Sequence, residues 1–265
     1  MSSSDAADEP IYEPALSTTP AWQQTQVLGL FPADFDPLVI LLAIQTHYAE
    51  LTETVHFTIV NEQNWIAQTQ ANFTPKKFGE HLWVCPSWHS VTDPLAIVVN
   101  LDPGVAFGTG THPTTALCLE WLANNPPKNK TVIDYGCGSG ILAIAAIKLG
   151  AKQVIAVDHD PQALEATRVN AERNKITASQ LITMTVDQTI EHPVDLLLAN
   201  ILAQPLIELA PLFKELLKPQ GVLILSGILS NQTEMVKAAY SRWCEFTSIV
   251  AQDEWVRLAA IKTNN

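Results

Sequence analysis

The sequence predicts an α/β protein built around a doubly wound, mostly parallel, seven-stranded sheet, with a smaller α+β domain in front of it. Short apolar segments alternate with helical segments across residues 131–243, and this alternation is typical of a parallel sheet with helices on both faces. A glycine-rich turn follows the first of these apolar segments. Because α/β sheets bind ligands at the carboxyl ends of their strands, we expect the functional site at that edge.

The first hundred residues mix strand and helix patterns. Asp36 is a helix cap followed by proline at the first helical position, a combination that starts helices. Residues 54–60 alternate and are rich in β-branched side chains, which predicts a strand. In chain order, we predict loop over 1–24, a strand at 25–31, a helix at 37–49, a strand at 54–60, an ordered connection over 61–79, and strands at 82–85 and 95–101.

The second half carries regular strand and helix signals. Gly150 closes the first predicted helix and Asp160 caps the second, while the uniformly apolar segment 194–199 predicts a strand buried on both faces. Strands are predicted at 131–134, 153–157, 181–185, 194–199 and 221–226, and helices at 141–149, 161–174, 205–217 and 231–243. Segments 245–250 and 255–261 flank a short polar turn and predict an antiparallel hairpin at one edge of the sheet.

The charge balance of the chain limits its partners. Acidic residues outnumber basic ones 27 to 15, which gives a formal charge of -12. A field of that sign does not suit non-specific nucleic-acid binding, because phosphates are met by Lys and Arg. It suits a basic protein partner, or it serves solubility alone.

The four cysteines and the amino-terminal residues bear on the compartment. No Cys-x-x-Cys pair occurs, and Cys85 with His89 gives only two candidate ligands, so neither a disulfide framework nor a metal site is predicted. The first residues lack a basic start and an apolar run, and the longest apolar stretch, 37–44, is too short to span a bilayer. We expect a cytoplasmic protein with reduced thiols and no membrane segment.

The strongest local signal is the loop Asp134-Tyr-Gly-Cys-Gly-Ser-Gly140, which follows a strand and opens a helix. Glycines allow a tight turn and bring backbone N–H groups close to a ligand. Asp158 lies twenty residues after Gly138, at the end of the next strand, where a carboxylate can accept hydrogen bonds from both hydroxyls of a ribose.

The spacing of the loop separates two cofactor classes. A dinucleotide fingerprint is Gly-x-Gly-x-x-Gly, with a pyrophosphate at the helix N-terminus. Here Gly136 and the next two glycines are spaced Gly-x-Gly-x-Gly, and Asp134 precedes them. S-adenosylmethionine has a cationic amino group and no phosphate, so the acid favours it over NAD; a turn without a ligand is the third alternative. Asp187, after the third strand, either meets the adenine amino group or is a solvated loop acid.

A fifteen-residue segment, Leu101-Asp-Pro-Gly-Val-Ala-Phe-Gly-Thr-Gly-Thr-His-Pro-Thr-Thr115, is rich in glycine and threonine. Together with the Gly136 loop and Asp195-Leu-Leu-Leu-Ala-Asn-Ile-Leu-Ala203, it resembles the methyltransferases of large-subunit ribosomal protein L11. Segments 78–88 and 226–229 match as well, so the resemblance runs from about Pro10 to the end of the chain.

The resemblance implies a class I, S-adenosylmethionine-dependent methyltransferase that modifies lysine side chains and the N-terminal amine of that basic ribosomal protein. It implies a ferredoxin-like substrate-recognition domain over 1–62, a linker with connecting strands over 63–100, and the methyltransferase domain over 101–265. The family's cofactor-binding positions fall here on Thr115, Gly136, Asp158 and Asn200.

The chemistry of these segments agrees with that role. Phe107 and Thr109 lie in a loop that can fold over a small ligand, and Thr115 begins a helix whose N-terminus would face it. Asn200 ends the fourth strand, and its carbonyl can accept a hydrogen bond from an incoming amine and orient it for in-line displacement. His112 is the nearby candidate base or, alternatively, a hydrogen-bonding or packing residue, since desolvation alone can deliver a neutral amine.

Two departures from family patterns carry predictions. Ile-Leu-Ala follows Asn200 in place of the Pro-Pro-Tyr or Pro-Pro-Phe of glutamine and nucleobase amino methyltransferases, which disfavours amide and base substrates. Family members also carry about 25 to 30 residues, a strand and a helix, before the segment that starts at Pro10, so we expect an incomplete ferredoxin-like domain and Met1 as an internal methionine. We expect a monomer; the alternatives are a methyltransferase of small-molecule amines and a catalytically impaired module that binds the ribosomal protein.

Overall fold

The structure, a computed structural model, describes residues 2–5, 25–29, 31–32, 35–48, 54–58, 73–102 and 112–264. The chain separates into two compact units, Met1–Trp65 and Ile66–Asn265. No helix within the described residues is long and apolar enough to cross a membrane.

The first unit combines a strand pair with one helix in its described part. Strand β1, Ser2–Asp5, pairs antiparallel with β2, Thr25–Leu28. Helix α1, Pro37–His47, begins as predicted, because the Asp36 side chain accepts a hydrogen bond of 3.0 Å from the Leu38 N–H.

Two predictions for this unit were wrong. Residues 2–5, expected as loop, form β1, because pairing with β2 satisfies backbone groups that would otherwise need water as a hydrogen-bond partner. Residues 55–58, expected as part of a strand, form none, because a β-branched alternation becomes a strand only where a neighbour completes the ladder. The ferredoxin-like order of this unit falls largely on residues outside the described ranges and stays a prediction.

The second unit opens with a three-stranded sheet. Strand β3, Lys76–Phe78, pairs antiparallel with β4, Leu82–Cys85, which pairs in parallel with β5, Ile97–Asn100. The predicted strands 82–85 and 95–101 are thereby confirmed. The second is shorter than predicted at both ends, because it covers only Ile97–Asn100.

The seven-stranded sheet is confirmed. Its strands are β6 Thr131–Tyr135, β7 Gln153–Asp158, β8 Leu181–Thr185, β9 Val194–Asn200, β10 Leu217–Leu229, β11 Cys244–Gln252 and β12 Trp255–Lys262. The order is β11-β12-β10-β9-β6-β7-β8, with β6 to β10 parallel and β12 antiparallel to both of its neighbours, as the predicted hairpin requires. The helices are α2 Pro113–Asn124, α3 Ile141–Lys148, α4 Pro161–Arg173, α5 Ala203–Leu216 and α6 Thr233–Tyr240, with a 3-10 turn at Ser230–Gln232.

Helices cover both faces of this sheet, and each face has its own core. Successive residues of β6 illustrate the division: Val132 packs with the α2, α3 and α4 side, and Ile133 packs with the α5 and α6 side. Both side chains are fully buried. Because strand side chains alternate between faces, a central parallel strand must be apolar throughout, and this rigid centre carries the loops at the carboxyl edge.

Candidate active site

The glycine loop leaves β6 in a conformation that only glycine adopts easily. Gly136, Gly138 and Gly140 have φ values of 76°, 53° and 78°, in the left-handed region that penalises a Cβ atom. A Cβ at Gly136 would collide with Ile201 Cγ2, and one at Gly140 would lie 2.8 Å from Thr167 Cγ2. The side chains of Ile201 and Thr167 therefore pack directly against the backbone of the loop, at Gly136 and at Gly140.

Asp158 ends β7 and meets this loop, so the structure brings the two predicted parts together. One carboxylate oxygen accepts from the Gly138 N–H at 2.9 Å and the other from the Asp160 N–H at 3.0 Å. The His159 imidazole nitrogen lies 3.3 Å from the second oxygen. The carboxylate is 7% exposed, held at the carboxyl edge by three separate partners.

Asp134 lies beneath the loop. It is 1% exposed, and its Oδ2 accepts a hydrogen bond of 2.9 Å from the Ala143 N–H in the first turn of α3. Burial raises the pKa of Asp134 to about 7, the Ala143 N–H opposes that rise, and the charge of Asp158 adds to it. The carboxyl group thus anchors α3 to β6, and the contact with a ligand expected from the sequence stays a prediction.

Asn200 and Thr115 meet across the sheet edge. The Asn200 Nδ2 group donates to Thr115 Oγ1 at 3.2 Å, although the two residues are 85 positions apart. Asn200 is the last residue of β9, and Thr115 lies in the first turn of α2 with its side chain buried. The Ser226 hydroxyl donates to the Thr114 carbonyl at 3.0 Å, which fastens the start of α2 to β10.

Ile201 fills the space between the strand ends. Its Cγ2 atom lies where a Cβ on Gly136 would stand, and its backbone carbonyl lies where a Cβ on Gly227 would stand. Gly227 has a φ of 83° and lies in the β10 segment where the register to β12 shifts. The residue that follows Asn200 therefore packs against two glycines, one in the loop after β6 and one in β10.

His112 caps α2. Its Nδ1 atom lies 3.4 Å from the Thr114 N–H and 2.8 Å from Thr114 Oγ1, and its ring meets Trp255 edge-on with centroids 5.0 Å apart. Nδ1 accepts from the N–H, so its lone pair, which a base would need, serves the cap. The base role stays a prediction, as do the ligand contacts of Phe107 and Thr109, which lie outside the described residues.

Asp187 lies in the turn after β8 and is exposed. A hydrogen bond from the Thr185 hydroxyl, supported by a backbone N–H, holds the pKa of this carboxyl below its usual value. The side chain is thus charged at the edge next to Asp158, which ends the neighbouring strand. Its predicted contact with an adenine amino group is compatible with this position and stays a prediction.

Sequence reasoning missed a polar face on α4. The Thr167 hydroxyl donates to the Gly138 carbonyl at 3.0 Å, and Asn170 Nδ2 donates to the Ser139 carbonyl at 2.9 Å. Asn174, just past the helix, donates to the Asn100 carbonyl at 2.8 Å. The available signal was the spacing of 167, 170 and 174, which places three polar residues on one face of a helix.

Of the four cysteines, Cys137 lies in the glycine loop, where its Sγ atom is 3.4 Å from Thr167 Oγ1. All four are free and buried, and burial raises the pKa of the Cys118 thiol to about 12, so it stays protonated at neutral pH. Within the described residues, no three His, Cys, Asp or Glu side chains form a group that could hold a metal.

This chain matches a family model, and it is similar in sequence and in fold to proteins that are already known. A family model described as ribosomal protein L11 methyltransferase (PrmA) matches residues 1–263. Curated relatives of that name from Marinomonas sp. (strain MWYL1) and Tolumonas auensis are 50% identical over 261 residues and 47% identical over 258 residues; each match covers 97% of this chain and 88% of the relative.

Solved structures of other proteins are similar to this one in their three-dimensional fold. The crystal structure of a ribosomal protein L11 methylase from Lactobacillus delbrueckii subsp. bulgaricus has a TM-score of 0.66 and 33% identity, covering 72% of this chain and 100% of that one. A methyltransferase from Pyrococcus furiosus, at a TM-score of 0.51 and 16% identity over 62% of this chain and 88% of its own, shares the fold.

Proposed function

Since this chain belongs to the ribosomal protein L11 methyltransferase family, we propose that it transfers methyl groups from S-adenosylmethionine to lysine side-chain and N-terminal amines of ribosomal protein L11. The observation that carries the chemistry is the Asn200–Thr115 hydrogen bond beside the glycine loop. It places an amide side chain at the sheet edge with a defined orientation.

The residues present fit the methyl donor. The glycines leave the backbone of the loop open to close approach by a ligand, and the Asp158 carboxylate lies against the loop, where it accepts from the Gly138 N–H. Each carboxylate oxygen has two acceptor sites. Oδ2 uses one for the Gly138 N–H and keeps one for a ribose hydroxyl. Oδ1 accepts from the Asp160 N–H and lies 3.3 Å from the His159 imidazole, so a second ribose hydroxyl would take the place of His159 there. The bound donor supplies a methyl group activated by a sulfonium. We assign Asp187 to the adenine, and Asp134, Phe107 and Thr109 to the rest of the donor.

Asn200 positions the amine that receives the methyl group. Its Nδ2 group is committed to Thr115, so Oδ1 is the end of the amide that accepts a hydrogen bond from the substrate N–H. Acceptance of that hydrogen bond turns the nitrogen lone pair toward the reacting carbon. Orientation of this kind removes entropy from the barrier before the reaction begins.

The acceptor nitrogen must be neutral. A free lysine is protonated at pH 7, with a pKa near 10.4, and transfer into a dry pocket mouth lowers that pKa. Deprotonation before binding then requires no dedicated base. We keep His112 as the candidate base for a proton that leaves after binding, in competition with its observed role as helix cap.

The division of labour along the chain is part of the proposal. Residues 1–62 recognise the ribosomal protein, 63–100 connect, and 101–265 carry out methyl transfer. We propose that the protein acts as a monomer in the cytoplasm, where its four thiols stay reduced.

The deciding experiment is incubation of the purified chain with labelled S-adenosylmethionine and total ribosomal protein, followed by mass spectrometry. We expect label on L11 amines, and labelling that is about 100-fold slower with Asn200→Ala under the same conditions. Label on free small-molecule amines but not on protein would support the small-substrate alternative instead. Donor binding with no labelled product of any kind would support the impaired binding module.

A further inference from the structure

The glycine loop is held from behind by two buried side chains of α4. Thr167 is 0% exposed and donates to the Gly138 carbonyl, while Asn170 is 8% exposed and donates to the Ser139 carbonyl. These carbonyls belong to consecutive peptide groups, so two neighbouring peptide planes are fixed from one helix. From this geometry we propose that Thr167 and Asn170 are positioning residues that set the affinity of the loop for the methyl donor, an inference that rests on the proposed function.

The physical link is the planarity of the peptide group. In a trans peptide the C=O and the following N–H point in opposite directions. A hydrogen bond that draws the Gly138 carbonyl toward α4 therefore turns the Ser139 N–H to the side away from that helix. The hydrogen bond from Asn170 to the Ser139 carbonyl fixes the next peptide plane. The N–H of that plane belongs to Gly140 and donates to the Cys137 carbonyl at 2.8 Å.

Gly138 is restrained from both sides. Its N–H donates to Asp158, and its carbonyl accepts from Thr167. The carboxylate proposed for the ribose is thus connected through one glycine to a hydroxyl on α4. Loss of the hydroxyl removes one restraint on the Gly138–Ser139 peptide, and we expect the hold of the loop on Asp158 to weaken with it.

The contact between loop and helix is too close for a larger side chain. The position of a Cβ on Gly140 lies 2.8 Å from both Thr167 Cγ2 and Thr167 Oγ1. Thr167→Val keeps the branched shape and removes the hydroxyl, and with it both the donor to Gly138 and the 3.4 Å contact with Cys137 Sγ. Thr167→Ser keeps the hydroxyl and removes one methyl group. This pair of variants separates hydrogen bonding from packing.

We would measure the affinity of each variant for S-adenosylhomocysteine by calorimetry, the Michaelis constant for S-adenosylmethionine, kcat and the thermal unfolding midpoint. For Thr167→Val we expect about 5-fold weaker affinity and a similar rise in the donor Michaelis constant, as for one lost net hydrogen bond, with kcat at saturating donor within 2-fold. Thr167→Ser should restore the affinity, and Asn170→Ala should weaken it like Thr167→Val.

Asn174→Ala is the matched control. Asn174 follows the same helix and is buried to a similar degree, but its side chain bonds to the backbone of Asn100 and to the Asn170 carbonyl rather than to the glycine loop. It should lower the unfolding midpoint without changing donor affinity. If Thr167→Val lowers the midpoint and leaves affinity and Michaelis constant at wild-type values, the positioning role is wrong and the proposed function stands. If the wild-type chain itself does not bind S-adenosylhomocysteine, the proposed function fails and this inference fails with it.

Discussion

At the scale of single residues, Asp158 should contribute most to donor affinity. Asp158→Ala removes the carboxylate that we assign to the ribose and its bond to the Gly138 N–H. We expect S-adenosylhomocysteine to bind about 10- to 100-fold more weakly, equivalent to about 1.4 to 3 kcal/mol for charged hydrogen bonds. Calorimetry measures this, with Asp160→Ala as control, because Asp160 caps α4 through the Gln162 N–H and should change stability only. Equal affinities for wild type and Asp158→Ala would remove Asp158 from the site.

Asn200 should act on turnover rather than on donor binding. For Asn200→Ala we expect kcat to fall about 100-fold, the scale at which lost positioning acts, with donor affinity within about 3-fold. Thr115→Val keeps the amide but removes the oxygen that accepts from Nδ2, so it should give a smaller loss of kcat. Single-turnover and binding measurements separate the two effects. Parallel losses in binding and turnover would show that Asn200 only holds the donor.

Asp134 should make stability depend on pH. Its carboxyl has a pKa of about 7 when folded and an ordinary value of about 3.9 when unfolded. Between these values the folded state binds more protons, so its contribution to stability is greatest below about pH 4 and declines as pH rises to about 7. Between pH 5 and pH 8, the free energy of unfolding measured with denaturant should therefore fall more for wild type than for Asp134→Asn. The same pH dependence in both proteins would contradict this account.

The sequence could place Asp158 and Asn200 because both end strands, and strand ends are readable from apolar runs. It could not show that Asp134 is buried and bonded to the first turn of α3, since an acid before a glycine loop does not by itself indicate the burial of its carboxyl group. Thr167 and Asn170 were missed for a related reason. Their spacing reveals a shared helix face, but only the packed structure shows that this face meets the glycine loop.

At the scale of elements, the turn between β6 and α3 should tolerate no side chain at Gly140. Gly140→Ala should destabilise the protein by about 1 to 2 kcal/mol from the left-handed backbone alone, and further through contact with Thr167. Gly150→Ala is the control, because Gly150 also has a positive φ of 101° while its nearest neighbour, Lys128 Cγ, would be 3.4 Å from the new Cβ. Urea unfolding should show a larger loss of unfolding free energy for Gly140→Ala than for Gly150→Ala. Equal losses would mean that the contact with α4 adds nothing.

Element boundaries were predicted less well than element types. Strand β10 was expected at 221–226 but extends over Leu217–Leu229, because β9 and β12 pair with it on its two sides. The pairing with β9 holds at Leu217 and resumes at Val222 after a register irregularity. The strand therefore includes the polar residues between these two positions, which its sequence pattern alone would leave out. By contrast, β8 was predicted to the residue, since its short apolar run ends at the turn before Asp187.

At the scale of the whole molecule, the charge of -12 should act on the protein substrate. L11 is expected to be basic, so we expect the Michaelis constant for this protein to rise several-fold between low and physiological salt, since screening weakens attraction between opposite charges. Affinity for S-adenosylhomocysteine, set by short contacts in the loop, should change little. Steady-state kinetics and calorimetry across a salt series test both. A salt-independent protein Michaelis constant would show that the acidity serves solubility alone.

Ile201 has a consequence for how this sequence can diverge. Its side chain occupies the space over Gly136 and its carbonyl the space over Gly227, so three positions far apart in the chain form a single steric unit. A larger residue at either glycine is admissible only if the segment after Asn200 moves away. Substitutions at positions 136, 201 and 227 should therefore be inherited together, and a change at one of them alone should be purged by selection.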